Sequence, residues 1–368
     1  MLFYFPLESY KARYTCQLSA KGVGWLESRW IENNIPYTRV EPNIETHDSI
    51  SSGSVLDACQ RGIYSCHQVA EFLKMLQNGQ VTSNDVLYFD DFWTPGLEAL
   101  PYAFNLTGIN PRIYGLLHAQ SVDINDFTYK MLPWIRHIEK GYGACFDGIF
   151  VSCDALQDAV LRGGIGSPGN VFKTGLPFNS DRVRDYFPNK WRYIEKKEQI
   201  VFSSRWDTEK DPLFFLKVAQ NFADFEPHFK FVITTSHEKL QSNDQKLLEA
   251  LNQYLKRNSN LEVRENQTKE QYYTTLLESK FQFNCAHQDY ISWTLLEAIT
   301  CSCIPIYPNY LSFPEFLSEE YMYDKGDPGD AVNTILSFEL ESHDPYLFSV
   351  VEKQNETWRR MAQIMGVI

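Results

Sequence analysis

Short apolar runs alternate with amphipathic stretches along most of the chain, and this alternation predicts the fold. In the first half the strand patterns are MLFYF, YTRVE, DVLYFDD, RIYGLLHA and GIFVSC. Helical patterns separate them, such as VGWLESRWIENN, where Trp25, Trp30 and Ile31 are expected on one face. Another, CHQVAEFLKMLQNG, ends at Gly79, and glycine favours helix C termini.

The alternation restarts in the second half, where EQIVFSSR, FKFVITTS, NLEVREN, FQFNCA and CIPIYP are strand patterns separated by helical ones. Residues 176–199 are polar and poorly periodic, which is typical of a domain boundary. We predict an α/β protein with two Rossmann-like, doubly wound domains, residues 1–180 and 181–345, and a C-terminal helix at 346–368 crossing back to the first domain. Ligands of such sheets bind at the carboxyl ends of the strands, so the two domains are expected to face a central cleft.

Composition narrows the class of protein. The chain has 368 residues and a net charge of −13, which argues against a broad polyanion-binding surface but not against a local basic groove. No apolar run is long enough for a membrane span, and the first residues do not resemble a signal peptide. The eight cysteines include no CxxC pair, which argues against a structural zinc site. We therefore expect a cytoplasmic protein with reduced thiols and no membrane partner.

The stretch HQDYISWTLLEAITCSCIPIYP places two carboxylates, Asp289 and Glu297, around a predicted helix start. The helix is expected to begin near Ser292, Trp293 and Thr294, and its free N–H groups attract anions such as phosphate. One interpretation is that Glu297 only complements the helix dipole. The other is that Glu297 binds the hydroxyls of a ribose, Asp289 those of a sugar, and the helix start the phosphates between them.

A second pair of charges lies in SSRWDTEKDP, after the first strand of the second half. Arg205 and Lys210 stand five positions apart in a strand-to-helix loop, where two cations can bind a diphosphate. The alternative is a solvated loop in which the cations pair with Asp207 and Glu209.

Together these motifs resemble the donor domain of retaining GT-B glycosyltransferases of the glycogen-synthase and sucrose-synthase class. Those enzymes have a Gly-Arg-Leu-x-x-Glu-Lys loop and a Glu-x7-Glu motif followed by a segment containing Ala and Pro. The matching positions here are Arg205, Glu209, Lys210, Asp289 (in place of the first Glu), Glu297, Ala298, Cys301 and Pro305. The resemblance covers roughly residues 1–320 and is strong only at 201–212 and 285–308. It implies a GT-B fold.

The resemblance also implies roles for individual residues. Arg205 and Lys210 would hold the nucleotide diphosphate, Glu297 the ribose and Asp289 the transferred sugar. Asn266 and Gln267 would lie near the base. The usual Gly-Phe-Gly between the carboxylates is Tyr-Ile-Ser here, at residues 290–292, so this loop is expected to have a different geometry.

The first half matches the family less closely. Gly22 and Gly24 in SAKGVGW stand where such enzymes have a glycine-rich loop near the donor phosphate, although a plain turn fits the pattern equally well. His118 follows a strand, where the family often has a histidine touching the donor sugar; the alternative is a structural hydrogen bond. Acceptor-side candidates at other predicted strand ends and loops are Asp90, Asp91 and Asp123.

The implied reaction moves a hexosyl or pentosyl group from a nucleoside-diphosphate sugar, with a UDP-sugar as first choice, to an acceptor hydroxyl. Cations and a helix terminus would stabilise the leaving diphosphate, so no metal and no cofactor beyond the co-substrate are expected. Retention would follow from same-face attack, with the leaving phosphate taking the acceptor proton. An inverting enzyme would instead need one of the three aspartates as a general base.

A looser resemblance to phage DNA glycosyltransferases rests on GVGWLESRWIENNIPYT, LLHAQS and LEAITCSCIPI. It implies a 5-hydroxymethylated pyrimidine in DNA as acceptor, in a host cytoplasm if a phage encodes the protein. The stretch RVRDYFPNKWRYIEKK mixes cations with aromatic residues that would suit nucleic acid, or forms a solvated linker. Two alternatives remain open: a saccharide or small-molecule acceptor, and a non-catalytic binding protein with a GT-B fold. The oligomeric state is left open.

Overall fold

A computed structural model describes most of the chain. The described residues are 1–8, 18, 23–44, 58–118, 121–187, 195–226, 228–290, 292–338 and 345–368. The chain divides into a first unit, Met1–Pro177 with Glu356–Ile368, and a second unit, Phe178–Asn355. Within the described residues each unit has one parallel six-stranded sheet, and the α/β prediction is confirmed.

The strands of the first unit are β1 (Leu2–Phe5), β2 (Tyr37–Arg39), β3 (Val86–Phe89), β4 (Arg112–Leu116), β5 (Gly148–Val151) and β6 (Val171–Lys173). Its first five described helices are α1 (Trp25–Glu32), α2 (Ala58–Gln77), α3 (Ala99–Thr107), α4 (Leu132–Cys145) and α5 (Asp154–Gly163). The strands hydrogen-bond in the order β2-β1-β3-β4-β5-β6. Strands β1, β3 and β5 are buried along their whole length, as expected for parallel strands covered on both faces.

The strands of the second unit are β7 (Lys197–Phe202), β8 (Lys230–Thr234), β9 (Leu261–Arg264), β10 (Ser279–Phe283), β11 (Ile304–Pro308) and β12 (Met322–Tyr323). Its described helices are α6 (Ser180–Arg184), α7 (Pro212–Phe225), α8 (Gln245–Arg257), α9 (Lys269–Glu278), α10 (Trp293–Thr300), α11 (Pro328–Ser337) and α12 (Pro345–Asn355). The strand order is β12-β11-β10-β7-β8-β9.

Each sheet has a point where the direction of the strand order reverses. In the second unit the chain runs outward from β7 to β9 and then returns to β10 on the other side of β7. The loops that follow β7 and β10 therefore lie side by side, and the His287 N–H donates to the Glu209 carbonyl at 2.8 Å. The first sheet reverses in the same way between β1 and β3. Such switch points are where doubly wound sheets bind ligands.

The C-terminal helix predicted at 346–368 is instead two helices, α12 and α13 (Thr357–Met365), which meet at Glu356. Each is anchored to a different unit, which explains the break. At the end of α12, the side chain of Asn355 bonds Ser180 of the second unit. At the start of α13, the Thr357 hydroxyl donates to the Thr174 carbonyl of the first unit at 3.2 Å.

Helix α13 belongs to the core of the first unit. Trp358, Met361 and Met365 are buried in the cluster formed by the sheet and α1. The predicted helix α1 is present, but the three side chains expected on one face do not share one environment: Trp25 and Trp30 are buried, whereas Ile31 is 52% exposed. Strand β6 was not predicted, because it is a three-residue edge strand with only its first residue fully buried. No helix among the described residues has the length and apolar character needed to cross a membrane.

Candidate functional site

The loop after β7 delivers Lys210 to the loop after β10. Thr208–Lys210 form a 3-10 turn, and Asp211 follows in the left-handed conformation with a φ of 46°. The Asp211 carboxylate caps α7 by accepting from the Phe214 N–H, and Pro212 is suited to the first helical position. This turn directs the Lys210 Nζ to the Gln288 carbonyl at 2.6 Å, with the Asp289 carboxylate at 3.7 Å.

Arg205 lies in the same loop but contacts different groups. Its guanidinium pairs with the carboxylates of Asp207 and Glu209, and its side chain is 48% exposed. These are the internal pairs that the sequence offered as the alternative interpretation. Arg205 and Lys210 are therefore brought to one loop, but only Lys210 contacts the β10 loop directly.

Several predicted residues meet at the start of α10. The hydroxyls of Ser292 and Thr294 lie 2.5 Å apart, and the Ser292 side chain makes no capping hydrogen bond to the helix. The Ser312 hydroxyl donates to the Asp289 carbonyl at 3.4 Å, which ties the preceding loop to the residues after β11. The ring of Trp293 packs on Phe178, with centroids 5.9 Å apart, so its observed contact is structural.

Sequence reasoning missed Tyr307, which ends up beneath this helix start. Its side chain is completely buried, and burial raises its pKa; the hydroxyls of Thr294 and Ser292 counteract that shift. The tyrosine comes from β11, whose pattern predicts only a buried strand. No sequence feature indicates which of its side chains reaches α10.

Glu297 is the most extensively bonded of the predicted residues. It accepts from the Lys269 Nζ at 3.2 Å, the Tyr272 hydroxyl at 3.0 Å and the Tyr273 hydroxyl at 2.8 Å. We call Lys269, Tyr272 and Tyr273, all from α9, the Glu297 clamp. Burial and the charge of Glu297 raise the pKa of both tyrosines, which therefore donate as neutral hydroxyls. Their spacing on one helix face was visible in the sequence, but their partner was not.

A further group of polar side chains surrounds Asp211. The His287 Nε2 lies 3.3 Å from the Asp211 carboxylate, and the Cys285 thiol donates to the Asp211 carbonyl at 3.2 Å. Lys325 places its Nζ 3.4 Å from the centroid of the Tyr310 ring. Burial lowers the pKa of His287, and Lys325 lowers it further while Asp211 opposes the shift. Sequence reasoning missed Lys325, which comes from a distant part of the chain.

Asn266 and Gln267 lie in the loop between β9 and α9. Asn266 is left-handed, with a φ of 53°, and its N–H donates to the His237 carbonyl. The Gln267 side chain donates to the Glu265 carbonyl at 3.1 Å. Their described contacts thus hold the loop itself, at the carboxyl end of the sheet.

In the first unit, Asp90 and His118 are adjacent. Asp90 is completely buried after β3, where it accepts from the Tyr4 hydroxyl at 2.5 Å and the Leu7 N–H at 3.3 Å. Burial raises the pKa of Asp90 to about 7. The His118 Nε2 lies 2.8 Å from the Asp90 carbonyl oxygen. The predicted histidine thus has a structural contact at the carboxyl end of the sheet.

The other first-unit candidates also have local contacts. Asp91 accepts from the Trp93 N–H and faces Arg61 at 3.5 Å. Asp123 accepts from the N–H of residue 125 in a turn, at 2.8 Å. The Gly24 N–H donates to Glu27 at the start of α1, and the Leu18 carbonyl leaves no room for a Cβ at Gly24. Gly22 lies outside the described residues.

Solved structures with the same architecture are GT-B glycosyltransferases. Sucrose-phosphate synthase from Thermosynechococcus elongatus is 11% identical and aligns with a TM-score of 0.60 over 99% of this chain and 96% of its own. The pneumococcal O-GlcNAc transferase GtfA, in complex with UDP and GlcNAc, is 12% identical, with a TM-score of 0.56 over 82% of this chain and 60% of its own. At these identities the likeness establishes the fold, and the predicted GT-B fold is confirmed.

Sequence comparison reaches one part of the chain. A tRNA-queuosine alpha-mannosyltransferase of Drosophila melanogaster is 27% identical over 131 residues, which are 35% of this chain and 33% of the fly protein. The chain thus matches about a third of the length of this curated relative. No family model matches the chain.

Proposed function

We propose that this protein is a glycosyltransferase that moves a sugar from a nucleoside-diphosphate sugar to an acceptor hydroxyl. The observation that carries the proposal is the meeting of Lys210, Asp289 and the start of α10 at the switch point of the second sheet. A cation beside a helix N terminus complements a diphosphate. The neighbouring carboxylate can accept hydrogen bonds from the hydroxyls of a sugar.

The same groups suit the leaving-group chemistry. As the glycosidic bond breaks, negative charge grows on the diphosphate, and fixed positive groups lower the energy of that transition state. Lys210 would supply a cation that the turn before α7 already positions. Arg205 would join after exchanging Asp207 and Glu209 for phosphate oxygens. This arrangement needs no metal, and UDP is the first nucleotide to test because GtfA is a structure in complex with UDP.

We infer a retaining reaction without a covalent intermediate. The support is the motif resemblance in the second unit, since retaining enzymes of that kind use the leaving phosphate to accept the acceptor proton. Two of the three first-unit aspartates are poor candidates for the general base of an inverting reaction. Asp90 is completely buried under the Tyr4 hydroxyl, and Asp91 faces Arg61.

For the acceptor we propose a hydroxyl on a modified nucleoside in nucleic acid. The sequence favours a 5-hydroxymethylated pyrimidine in DNA, and the activity of the fly relative favours a tRNA nucleoside as second candidate. Either would have to leave its base stack to reach a sugar donor. Residues 188–194 of the basic stretch that supports a nucleic acid lie outside the described residues, and Arg184 of the same stretch pairs with Asp181.

The test is a donor screen that measures released nucleoside diphosphate. UDP-, GDP- and ADP-sugars are each incubated alone, with hydroxymethylated DNA, with unmodified and modified tRNA, and with oligosaccharides. We expect one donor class to bind and to turn over, and Glu297→Ala to reduce turnover severely without unfolding. A protein that no nucleoside diphosphate stabilises against heat would instead be a non-catalytic binding protein. Turnover only with oligosaccharides would refute the nucleic-acid acceptor and keep the transferase.

A further inference from the structure

One face of α9 is built around a single carboxylate. Lys269, Tyr272 and Tyr273 occupy positions i, i+3 and i+4, which lie together on one side of a helix. All three donate to Glu297, whose side chain is only 4% exposed. The proposed function assigns the ribose to Glu297, but it assigns nothing to these three donors.

The contacts divide between the two carboxylate oxygens. Lys269 and Tyr273 donate to Oε1, and Tyr272 donates to Oε2. Donors on both oxygens fix the rotation of the carboxylate about its last bond as well as its position. A buried carboxylate held by one donor would have neither constraint.

The clamp is itself held in place. The Lys269 Nζ lies 5.2 Å and 5.4 Å from the ring centroids of Tyr272 and Tyr273, so the cation is attracted by both rings. The ring of Tyr186 packs edge-on against Tyr273, with centroids 5.2 Å apart. Ser203, directly after β7, interacts with the Tyr272 hydroxyl. The clamp thus connects the Glu297 carboxylate to the loop that leads to Lys210.

We propose that Lys269, Tyr272 and Tyr273 are positioning residues that fix Glu297 for ribose hydroxyls and so set the preference for ribonucleotide over deoxyribonucleotide donors. The inference rests on the proposed function and extends it to specificity. A fixed carboxylate offers its remaining lone pairs in one geometry, so a nucleotide that lacks a ribose hydroxyl forms one hydrogen bond fewer with it. A carboxylate free to rotate would find water instead, and the preference would fall.

The experiment compares the binding of ribonucleoside and deoxyribonucleoside diphosphates. Dissociation constants of UDP, 2′-deoxy-UDP and 3′-deoxy-UDP are measured by calorimetry, and likewise for GDP and ADP. The variants are Tyr272→Phe and Lys269→Met. Each has a matched control in the same unit. Tyr254→Phe removes a buried hydroxyl that bonds Asn260, and Lys239→Met breaks an exposed lysine–glutamate pair.

We expect the wild-type protein to prefer the ribonucleotide by roughly 10- to 100-fold, the range for one hydrogen bond to a charged group. Both clamp variants should reduce this preference to within about threefold, mainly because they bind the ribonucleotide more weakly. Both control variants should keep the wild-type preference. The inference is overturned if the preference survives in the clamp variants. It is also overturned if they weaken ribo- and deoxyribonucleotides equally with a lower melting temperature, since that is a structural role. A wild-type protein that binds no nucleoside diphosphate would refute the proposed function itself.

Discussion

The two sheets reverse their strand order in the same way, yet they use the resulting switch points differently. In the second unit the reversal between β7 and β10 brings together Lys210 and Asp289, whose side chains are 12% and 18% exposed. In the first unit the reversal between β1 and β3 brings together Tyr4 and Asp90, both completely buried. One pair can still meet a ligand, whereas the other is enclosed within the protein.

The difference lies in what each charge contacts. The Lys210–Asp289 pair is only partly screened from water and lies beside the start of a helix, where an anion is favoured. Asp90 lies beside Tyr4 and Tyr88, and burial raises the pKa of both Asp90 and Tyr88. The two sheets therefore share a topology, and the local side chains decide whether the charged groups at the switch point are accessible or buried.

The largest expected effect is the loss of Lys210. Lys210→Ala should reduce donor turnover by about 10²- to 10³-fold, as for the removal of one fixed donor from a developing negative charge. Released nucleoside diphosphate measures the rate. Lys217→Ala, on the exposed face of α7, is the matched control and should keep the wild-type rate. If the Lys210→Ala variant keeps the wild-type rate, the difference in accessible charge between the two switch points does not contribute to catalysis.

The contacts of the second-unit candidate site could be predicted because its residues lie in two short stretches of sequence. The cations lie in one loop, and the carboxylates lie within one short stretch around a helix start. The periodic pattern placed both after strands, and doubly wound topology then makes such loops neighbours. The contact between Lys210 and Gln288 needed only that topology.

Contacts between distant segments could not be predicted in this way. The Glu297 clamp depends on how α9 packs beside α10, and Tyr307 depends on which face of β11 lies under the helix start. The sequence predicted the pairing of Arg205 with Asp207 and Glu209 only as an alternative. The spacing of residues does not show whether a cation pairs with carboxylates of its own loop or remains available to a ligand. The sequence does not distinguish the candidate residues of the first unit from those of the second, but the structure shows that Asp90 is completely buried.

The next effect concerns the stability of the first unit. The folded pKa of Asp90, about 7, lies above its ordinary value of 3.8, so the folded state binds this proton more tightly. Stability should therefore fall as pH rises from about 4 to about 7. Asp90→Asn should remove this loss, because an amide has no charge to bury. Relative to the variant, the wild-type free energy of unfolding should drop by roughly 2–3 kcal/mol between pH 5 and pH 8.

Urea unfolding at several pH values measures this difference. The asparagine can still accept from the Tyr4 hydroxyl, so the fold is expected to persist. Asp147→Asn is a suitable control, since this exposed aspartate caps only the Ile113 N–H. Parallel pH curves for the wild-type protein and Asp90→Asn would show that Asp90 is not buried as a carboxylate, and the contrast between the units would fail.

His118 tests whether the first unit contributes to the reaction at all. Its imidazole already contacts the Asp90 carbonyl, and we expect His118→Ala to slow turnover by about tenfold at most, within the usual range for a lost hydrogen bond. His118→Gln, whose side-chain amide can donate to the Asp90 carbonyl in place of the ring nitrogen, should recover part of the rate. A loss larger than that of Lys210→Ala would reverse the comparison and make the first switch point the stronger catalytic contributor.

The smallest expected effect concerns the N-terminal cap of α9, the helix of the second unit that carries the Glu297 clamp. Thr268 caps α9: its hydroxyl accepts from the Gln271 N–H at 3.2 Å, and the Gln271 side chain accepts from the Thr268 N–H at 2.8 Å. Thr268→Ala should lower the free energy of unfolding by about 1 kcal/mol. Thr274→Ala, which removes only a hydroxyl bonded to the Glu270 carbonyl within the helix, should change it by less than about 0.5 kcal/mol. Because tertiary packing against α10 also holds α9, nucleotide affinity should fall less than about twofold in Thr268→Ala. A much larger loss of affinity would mean that the position of the Glu297 clamp depends on the helix cap rather than on its own contacts.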